Sequence, residues 1–181
     1  MMLVEQGLVA LDDPVHRHIP SWRDLGVYVA GSGGLPGTPP GWQTRPTDAP
    51  MRMIDLLRHT SGLTYGFQAR TNIDAAYRQN KVDPFETTEC IDSFIDVLSK
   101  LPLEFSPGTA WNYSVSTDVL GFLVSKISGL PFDEFLRQRI LRPLGIVHYD
   151  PEIAPVIGKV LPGGGAARAG FQPGDRLIAA N

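Results

Sequence analysis

The sequence predicts an α+β fold that is mainly helical, with a short β segment at its C-terminal end. Two observations carry this expectation. From Ile91 to Leu101, and again from Ser116 to Ile140, apolar residues return at helical spacing. After residue 150 the pattern changes to short apolar runs separated by a Gly-rich turn, which suits strands.

The elements follow in order. Met1 to Gln6 read as the last turns of an amphipathic helix that Gly7 stops. No capping residue precedes them, so the chain is expected to begin inside an element. Asp12 or Asp13 is placed to cap a short helix with Pro14 in its first turn. Residues 31–50 are Gly or Pro at ten of twenty positions, which predicts an irregular surface loop. "MIDLLRHTSGL" predicts a short helix from about Met53 that ends in a turn near Ser61 and Gly62. A helix from Thr87 or Thr88 carries Ile91, Phe94, Ile95, Leu98 and Leu101 on one face. The next runs from Ser116 to Ser128 and stops at Gly129. The last carries Phe132, Phe135, Leu136 and Ile140, and Pro143 is expected to break it. Beyond it a strand, a Gly-rich turn, one small-residue helical turn and a second run, Arg176 to Ala180, are expected.

Composition narrows the function classes. A chain of 181 residues holds one domain, or one and a fraction. A net charge of −3 with no basic run gives nucleic acid no surface to bind. One cysteine, Cys90, excludes an internal disulfide and a cysteine metal cluster. No apolar run approaches the ~18 residues of a membrane span. "MMLVEQGLVAL" lacks a basic n-region and carries Glu5, so it is not a signal peptide. A cytoplasmic protein with no membrane partner and no cofactor is expected. There is no internal repeat.

Four phrases carry a resemblance: "MMLVEQGLVALDDPV", "LLRHTSGLTYG", "FSPGTAWNYSVSTDVLG" and "FDEFLRQRILRPLGI". In that order and spacing, residues 1–150 resemble the serine β-lactamase-like hydrolases, a group that includes class C β-lactamases, family VIII carboxylesterases and D-aminopeptidases. The resemblance implies hydrolysis of a small ester or amide by a serine in Ser-x-x-Lys, where the lysine one turn on helps take the proton. A tyrosine from a separate loop then serves as base and acid, and backbone N–H groups hold the oxyanion. Tyr113 aligns with that tyrosine. Val115 stands where class C enzymes carry an amide, so the resemblance leans toward the esterase branch and acylation by β-lactams is not expected.

No serine in the chain has a lysine three residues later, and no Lys-Thr-Gly occurs. The resemblance places the Ser-x-x-Lys about three turns ahead of "MMLVEQG" and the late sheet strands after residue 150. Tyr113 is therefore the one family catalytic position found here. A tyrosine ionises near pH ~10 and is a poor base without a neighbouring cation. Lys100 and Lys126 have no evident reason to point at Tyr113, so it is expected to act as a packed aromatic.

"GKVLPGGGAARAGFQPGDRLIAAN" resembles part of a bacterial PDZ domain, which binds a peptide C-terminus by strand addition. Residues 151–181 are thus expected to be a partial second domain.

Other candidates are weighed against simpler roles. His59 and Ser61 in "RHTSG" suggest a Ser–His pair, but a helix-ending turn explains them as well. Ser61 and Ser116 would be the first alternative nucleophiles to mutate. His16 and His18 are two apart, which suits surface histidines better than metal ligands. His148 is uninformative. Cys90 reads as core. Asp118 reads as charge at a helix N-terminus rather than a triad member. "PGGGAARAG" lacks the ending of a phosphate loop.

Three readings stay open: a hydrolase of small esters with a site around Tyr113, an inactive fragment that forms a homo-oligomer, and a peptide-binding module. The second rests on the expectation that the apolar faces of 91–101 and 116–128 lie bare.

Overall fold

A computed structural model describes residues 1–31, 41–82, 91–144, 146–148 and 159–175. Two compact units result, Met1–Ile127 and Ser128–Asn181. Among the described residues helices dominate and two small sheets accompany them, so the α+β expectation holds.

The first unit opens with α1, Met2–Glu5, which ends where Gly7 takes a φ of +70°. Asp13 does not cap the next helical turn, Val15–Arg17, whose N-cap is Pro14 with no side-chain bond. Instead its carboxylate accepts from the Ala10 N–H at 2.8 Å and pairs with Arg17. Strand β1, Val27–Ala30, pairs antiparallel with β2, Gln43–Arg45. The second of these lies inside the Gly/Pro-rich stretch that was expected to be irregular throughout. It forms on the edge of β1 that Leu103 leaves open. Tyr28 N–H donates to the Leu103 carbonyl at 2.8 Å, and Leu103 N–H to that of Gly26 at 2.9 Å, so β2 takes the other side.

Helix α2, Met53–Leu57, starts where predicted. Helix α3, Asn72–Gln79, was not anticipated. Its signal is a capping box: Thr71 Oγ1 accepts from the Asp74 N–H at 3.2 Å, and the Asp74 carboxylate accepts from the Thr71 N–H at 3.2 Å. The described part of α4 is Ile91–Leu98, and the expected start at Thr87 or Thr88, with Cys90, lies outside the described residues. Helix α5, Ser116–Ser128, matches its predicted limits, and Gly129 follows with φ +72°.

The apolar faces of α4 and α5 are not bare. Phe94, Ile95, Leu98 and Leu101 are buried, as are Val119 and Leu123. Each such side chain contributes about 1.5–3 kcal/mol by leaving water. The chain's own N-terminal segment supplies part of the cover, since Val15, Ile19 and Trp22 join the same core and Trp22 Nε1 donates to the Ile95 carbonyl.

In the second unit, α6, Phe132–Leu136, widens into a π turn at Arg137–Leu141 and continues as α7, Arg142–Leu144. The described helical path ends at Leu144, within the "RPLG" where an end is expected, but it runs through Pro143 rather than stopping at it. A proline ring clashes with the carbonyl four residues back in a regular α-helix. Here that residue is Arg139, inside the widened turn, which relieves the clash. Strand β3, Ile146–His148, pairs antiparallel with β4, Lys159–Val160, and α8, Gly165–Arg168, follows a turn. Strand, turn and small-residue helix appear in the expected order, while Arg176 to Ala180 lie outside the described residues. No helix among the described residues is long and apolar enough to cross a membrane.

One feature positions everything that follows. Residues 59–64 and 104–115 run side by side and are joined by main-chain bonds. Asn112 N–H donates to the His59 carbonyl (2.9 Å), Gly108 to Thr60 (2.8 Å), Glu104 to Gly62 (2.8 Å) and Val115 to Thr64 (3.2 Å). Gly62 sits at the closest approach with φ +87°, where an added Cβ would lie 2.4 Å from the Phe105 carbonyl oxygen. Gly108 has φ +83° but open space, its nearest neighbour being Asp55 Oδ1 at 3.6 Å. We expect Gly62→Ala to cost more than the ~1–2 kcal/mol of left-handed strain alone, and Gly108→Ala no more than that strain. Urea denaturation of the two variants checks the order, and an equal loss would contradict it.

Candidate active site

The paired segments bring together side chains that are 50 or so residues apart in sequence. On the first segment α2 ends in a tight turn. Thr60 N–H donates to the Asp55 carbonyl at 2.8 Å, and His59 takes a left-handed φ of +56°. That backbone suits glycine or asparagine, and an imidazole here is held by its surroundings. On the second segment "WNYS" is extended and leads into the N-terminus of α5.

Tyr113 stands at the rim. Its ring lies 5.0 Å from that of His59 and 5.1 Å from that of Tyr65, and it is 49% exposed. Among the described residues no hydrogen bond holds its hydroxyl, whereas Gln68 Nε2 donates to its carbonyl. The sequence expectation of a packed aromatic is half right: the ring is packed on its sides and its edge is open. Trp111, 67% exposed, meets His59 edge-on at 6.3 Å, and Phe67, 55% exposed, stacks on Tyr65 at 4.9 Å. Tyr65 is in turn fixed by its hydroxyl, which donates to Asp118 Oδ2 at 3.0 Å. The result is an exposed aromatic wall around one phenol.

Behind the wall lies a line of hydroxyls. His59 Nδ1 is 3.2 Å from Ser114 Oγ, which is 2.8 Å from Ser116 Oγ, itself 2.8 Å from Ser61 Oγ. All three serines are fully buried. The Ser–His pair suggested by "RHTSG" is therefore not formed, because the imidazole meets Ser114 and reaches Ser61 only through two other hydroxyls. Nor are Ser61 and Ser116 placed to attack a substrate from solvent. Asp118 does sit in the first turn of α5 as expected, with the added task of holding Tyr65. Lys126 is exposed in the last turn of α5, ten residues or ~15 Å along the axis from Ser116, and Lys100 is exposed after α4. His16 and His18 are half-buried. The described residues contain no group of three or more His, Cys, Asp or Glu side chains arranged to hold a metal.

The wall is anchored from below by a polar network that sequence reasoning missed. Asn112 Nδ2 donates to Glu104 Oε2 at 2.7 Å and to the Leu63 carbonyl at 3.2 Å, and its Oδ1 accepts from Arg70 at 2.5 Å. Thr71 Oγ1 donates to Glu104 Oε1 at 2.8 Å. Asp74, fully buried, accepts from Thr64 Oγ1 at 2.7 Å and from the Arg70 N–H at 2.8 Å. Satisfied on each of these sides, the buried groups fix both segments to α3. The readable signal was "RTNID", a capping box followed by helix.

Comparison with known proteins places this geometry. The family model described as beta-lactamase matches residues 1–155. Protein Rv1367c of Mycobacterium tuberculosis is 36% identical over 146 residues, which cover 81% of this chain and 34% of that protein. A Salmonella protein that carries the name D-alanyl-D-alanine carboxypeptidase provisionally is 29% identical over 147 residues, 81% of this chain and 29% of its own length. Unliganded simvastatin synthase (LovD) from Aspergillus terreus superposes with a TM-score of 0.60 at 27% identity, over 80% of this chain and 33% of that one. The chain thus spans about a third of the length of the proteins it matches.

The network beneath the wall carries a pH signature. Burial holds the Glu104 carboxyl above its ordinary value of 4.5, and the Asp74 charge adds to this, against the opposing pull of the Thr71 hydroxyl and the Arg70 guanidinium. The unfolded chain releases this proton at the ordinary value and the folded chain holds it to higher pH. Glu104 therefore favours the folded state most below pH 4.5, and that contribution is lost as pH rises through the raised value. We expect the parent chain to lose stability relative to Glu104→Gln as pH climbs from 4.5 upward. Urea midpoints of both proteins across that range test it, and a constant difference would refute the assignment.

Proposed function

The chain belongs to the β-lactamase family, and from that premise we propose that it carries the tyrosine arm of a serine-hydrolase site acting on small esters. Tyr113 is the arm. The observation that carries the reading is its setting: a phenol at an open edge, flanked by aromatic rings, on a backbone fixed by main-chain bonds to residues 59–64. In such a site the tyrosine hydroxyl takes the proton of the attacking serine and returns it to the leaving alcohol, while the serine oxygen bonds to the acyl carbon and the alkoxy bond breaks. The Ser-x-x-Lys that supplies this serine is not among these 181 residues.

Esters are favoured over β-lactams by Val115. This side chain is fully buried and has no hydrogen-bonding group where class C enzymes carry an amide. Trp111 and Phe67 offer apolar area to the acyl or alcohol part of a substrate instead. For residues 155–181 the peptide-binding reading is supported by the PDZ-like phrase and the strand–turn–helix order at 159–168. Binding of a peptide with a free apolar C-terminus is the discriminating measurement.

Self-association is part of the reading. Leu8, Val29 and Leu57 are exposed alongside Trp111 and Phe67, an apolar load that favours association. Sedimentation at high micromolar concentration should show a dimer or larger species, and a clean monomer would remove this part of the proposal.

The activity is tested by exchange. Residues 1–146 replace the corresponding segment of Rv1367c, and short-chain p-nitrophenyl esters are assayed. The chimera should hydrolyse them, and Tyr113→Phe within it should lose about a hundredfold or more of kcat, the scale of a positioned acid or base. The 181-residue chain alone should stay at background. An unchanged rate in Tyr113→Phe overturns the assignment, and faster cleavage of a D-alanyl-D-alanine dipeptide than of any ester would favour a peptidase.

A further inference from the structure

The hydroxyl line behind the aromatic wall has a direction. Leu63 N–H is a fixed donor to Ser61 Oγ at 3.2 Å. Each serine has one proton to give. If Ser61 donates to Ser116, Ser116 to Ser114 and Ser114 to His59 Nδ1, every hydroxyl both gives and receives, and the Nδ1 lone pair is filled. If the line runs the other way, Ser61 receives from both Leu63 and Ser116, and among the described residues its own O–H has no further acceptor. Ser61 is fully buried, so bulk solvent does not supply one. The fold itself thus selects the first order.

We propose that His59 is a positioning residue for Tyr113, a neutral imidazole locked by the buried serine line as its Nε2–H tautomer and laid against the Tyr113 ring. The proposal rests on Tyr113 being the working phenol. Its physical content is that the group next to Tyr113 supplies a plane and no charge. Protonation would force Nδ1–H to donate to Ser114 and leave one O–H of the serine line without its acceptor. It would also put a cation 5.0 Å from the Tyr113 ring.

The surroundings agree. Burial lowers His59 from its ordinary 6.5. The titratable group that faces the imidazole is Tyr113, with the apolar Trp111 on another side. Tyr65 and, through it, Asp118 stand behind Tyr113. Arg58, which follows the last residue of α2, is the chain neighbour, and the Asp55 carboxylate is taken by Arg52 and Thr60. No carboxylate hydrogen-bonds the His59 ring among the described residues. With a folded-state value below the unfolded one, the contribution of His59 to stability is complete above pH 6.5 and is lost as pH falls through the lowered value.

The test needs no substrate, so its failure and that of the ester reading are separable. The 181-residue chain is labelled with ¹⁵N-histidine and ring-¹³C tyrosine, and His59 is assigned by its disappearance in His59→Gln. Above the titration midpoint the Nε2–H tautomer should exceed the other by about tenfold or more, the scale of one stranded buried donor. The midpoint should fall below the ordinary imidazole value of 6.5, and the Tyr113 ring signals should move with it. Ser114→Ala should raise the midpoint and bring the tautomers toward equality. An Nδ1–H ring in the parent chain, or Tyr113 signals blind to the His59 midpoint, would overturn the proposal. So would a Ser114→Ala chain that behaves as the parent does. If Ser114→Ala fails to fold, the parent tautomer and the Tyr113 response decide alone.

Discussion

The structure of the first unit depends on the seam between residues 59–64 and 104–115. Neither segment is a helix or a strand, and each would be a loop on its own. Joined at Glu104, Gly108, Asn112 and Val115, their main-chain groups find partners that a loop leaves to water. The seam then does two jobs at once. Its inner side feeds Leu63 and Val115 into the core, and its outer side presents His59, Trp111 and Tyr113. Core and candidate site are opposite faces of the same pairing, so a change that loosens one disturbs the other.

Polar burial supports the seam as much as apolar burial does. Asp74 and Asn112 are buried, and Glu104 is nearly so, yet each is met by hydrogen-bonding partners from at least two other residues. Such a network is costly to break, because removing one member leaves others unpaired in a dry place. It also orders the site without touching it. The aromatic wall can vary in composition while the network below keeps its backbone fixed.

How much was legible in the sequence differs by element. The limits of α5 were readable because Ser116, Gly129 and the spacing of Val119 and Leu123 all agree. The core role of Ile95 and Leu98 was readable for the same reason. Strand β2 was not, since Gln43–Arg45 is exposed and polar and exists only because β1 has a free edge. The unbroken path through Pro143 was hidden because a π turn leaves no mark in the pattern. In the site, Tyr113 was found through its phrase. Ser114 and its approach to His59 were not, because contact across 55 positions comes from the seam and from no local period. The covered faces of α4 and α5 were misjudged for a related reason: Val15, Ile19 and Trp22 lie far off in sequence and fill that space.

The left-handed backbone at His59 sets a trade for anyone who reshapes this chain. A residue without a β-carbon is more comfortable at a φ of +56°. Selection for backbone comfort alone would therefore drift toward glycine at this position. Such a winner would keep the seam, since that uses only the His59 carbonyl, but would leave the buried Ser114 hydroxyl to find another acceptor than His59 Nδ1. It would also have discarded the ring that borders Tyr113, an example of stability gained where function is stored.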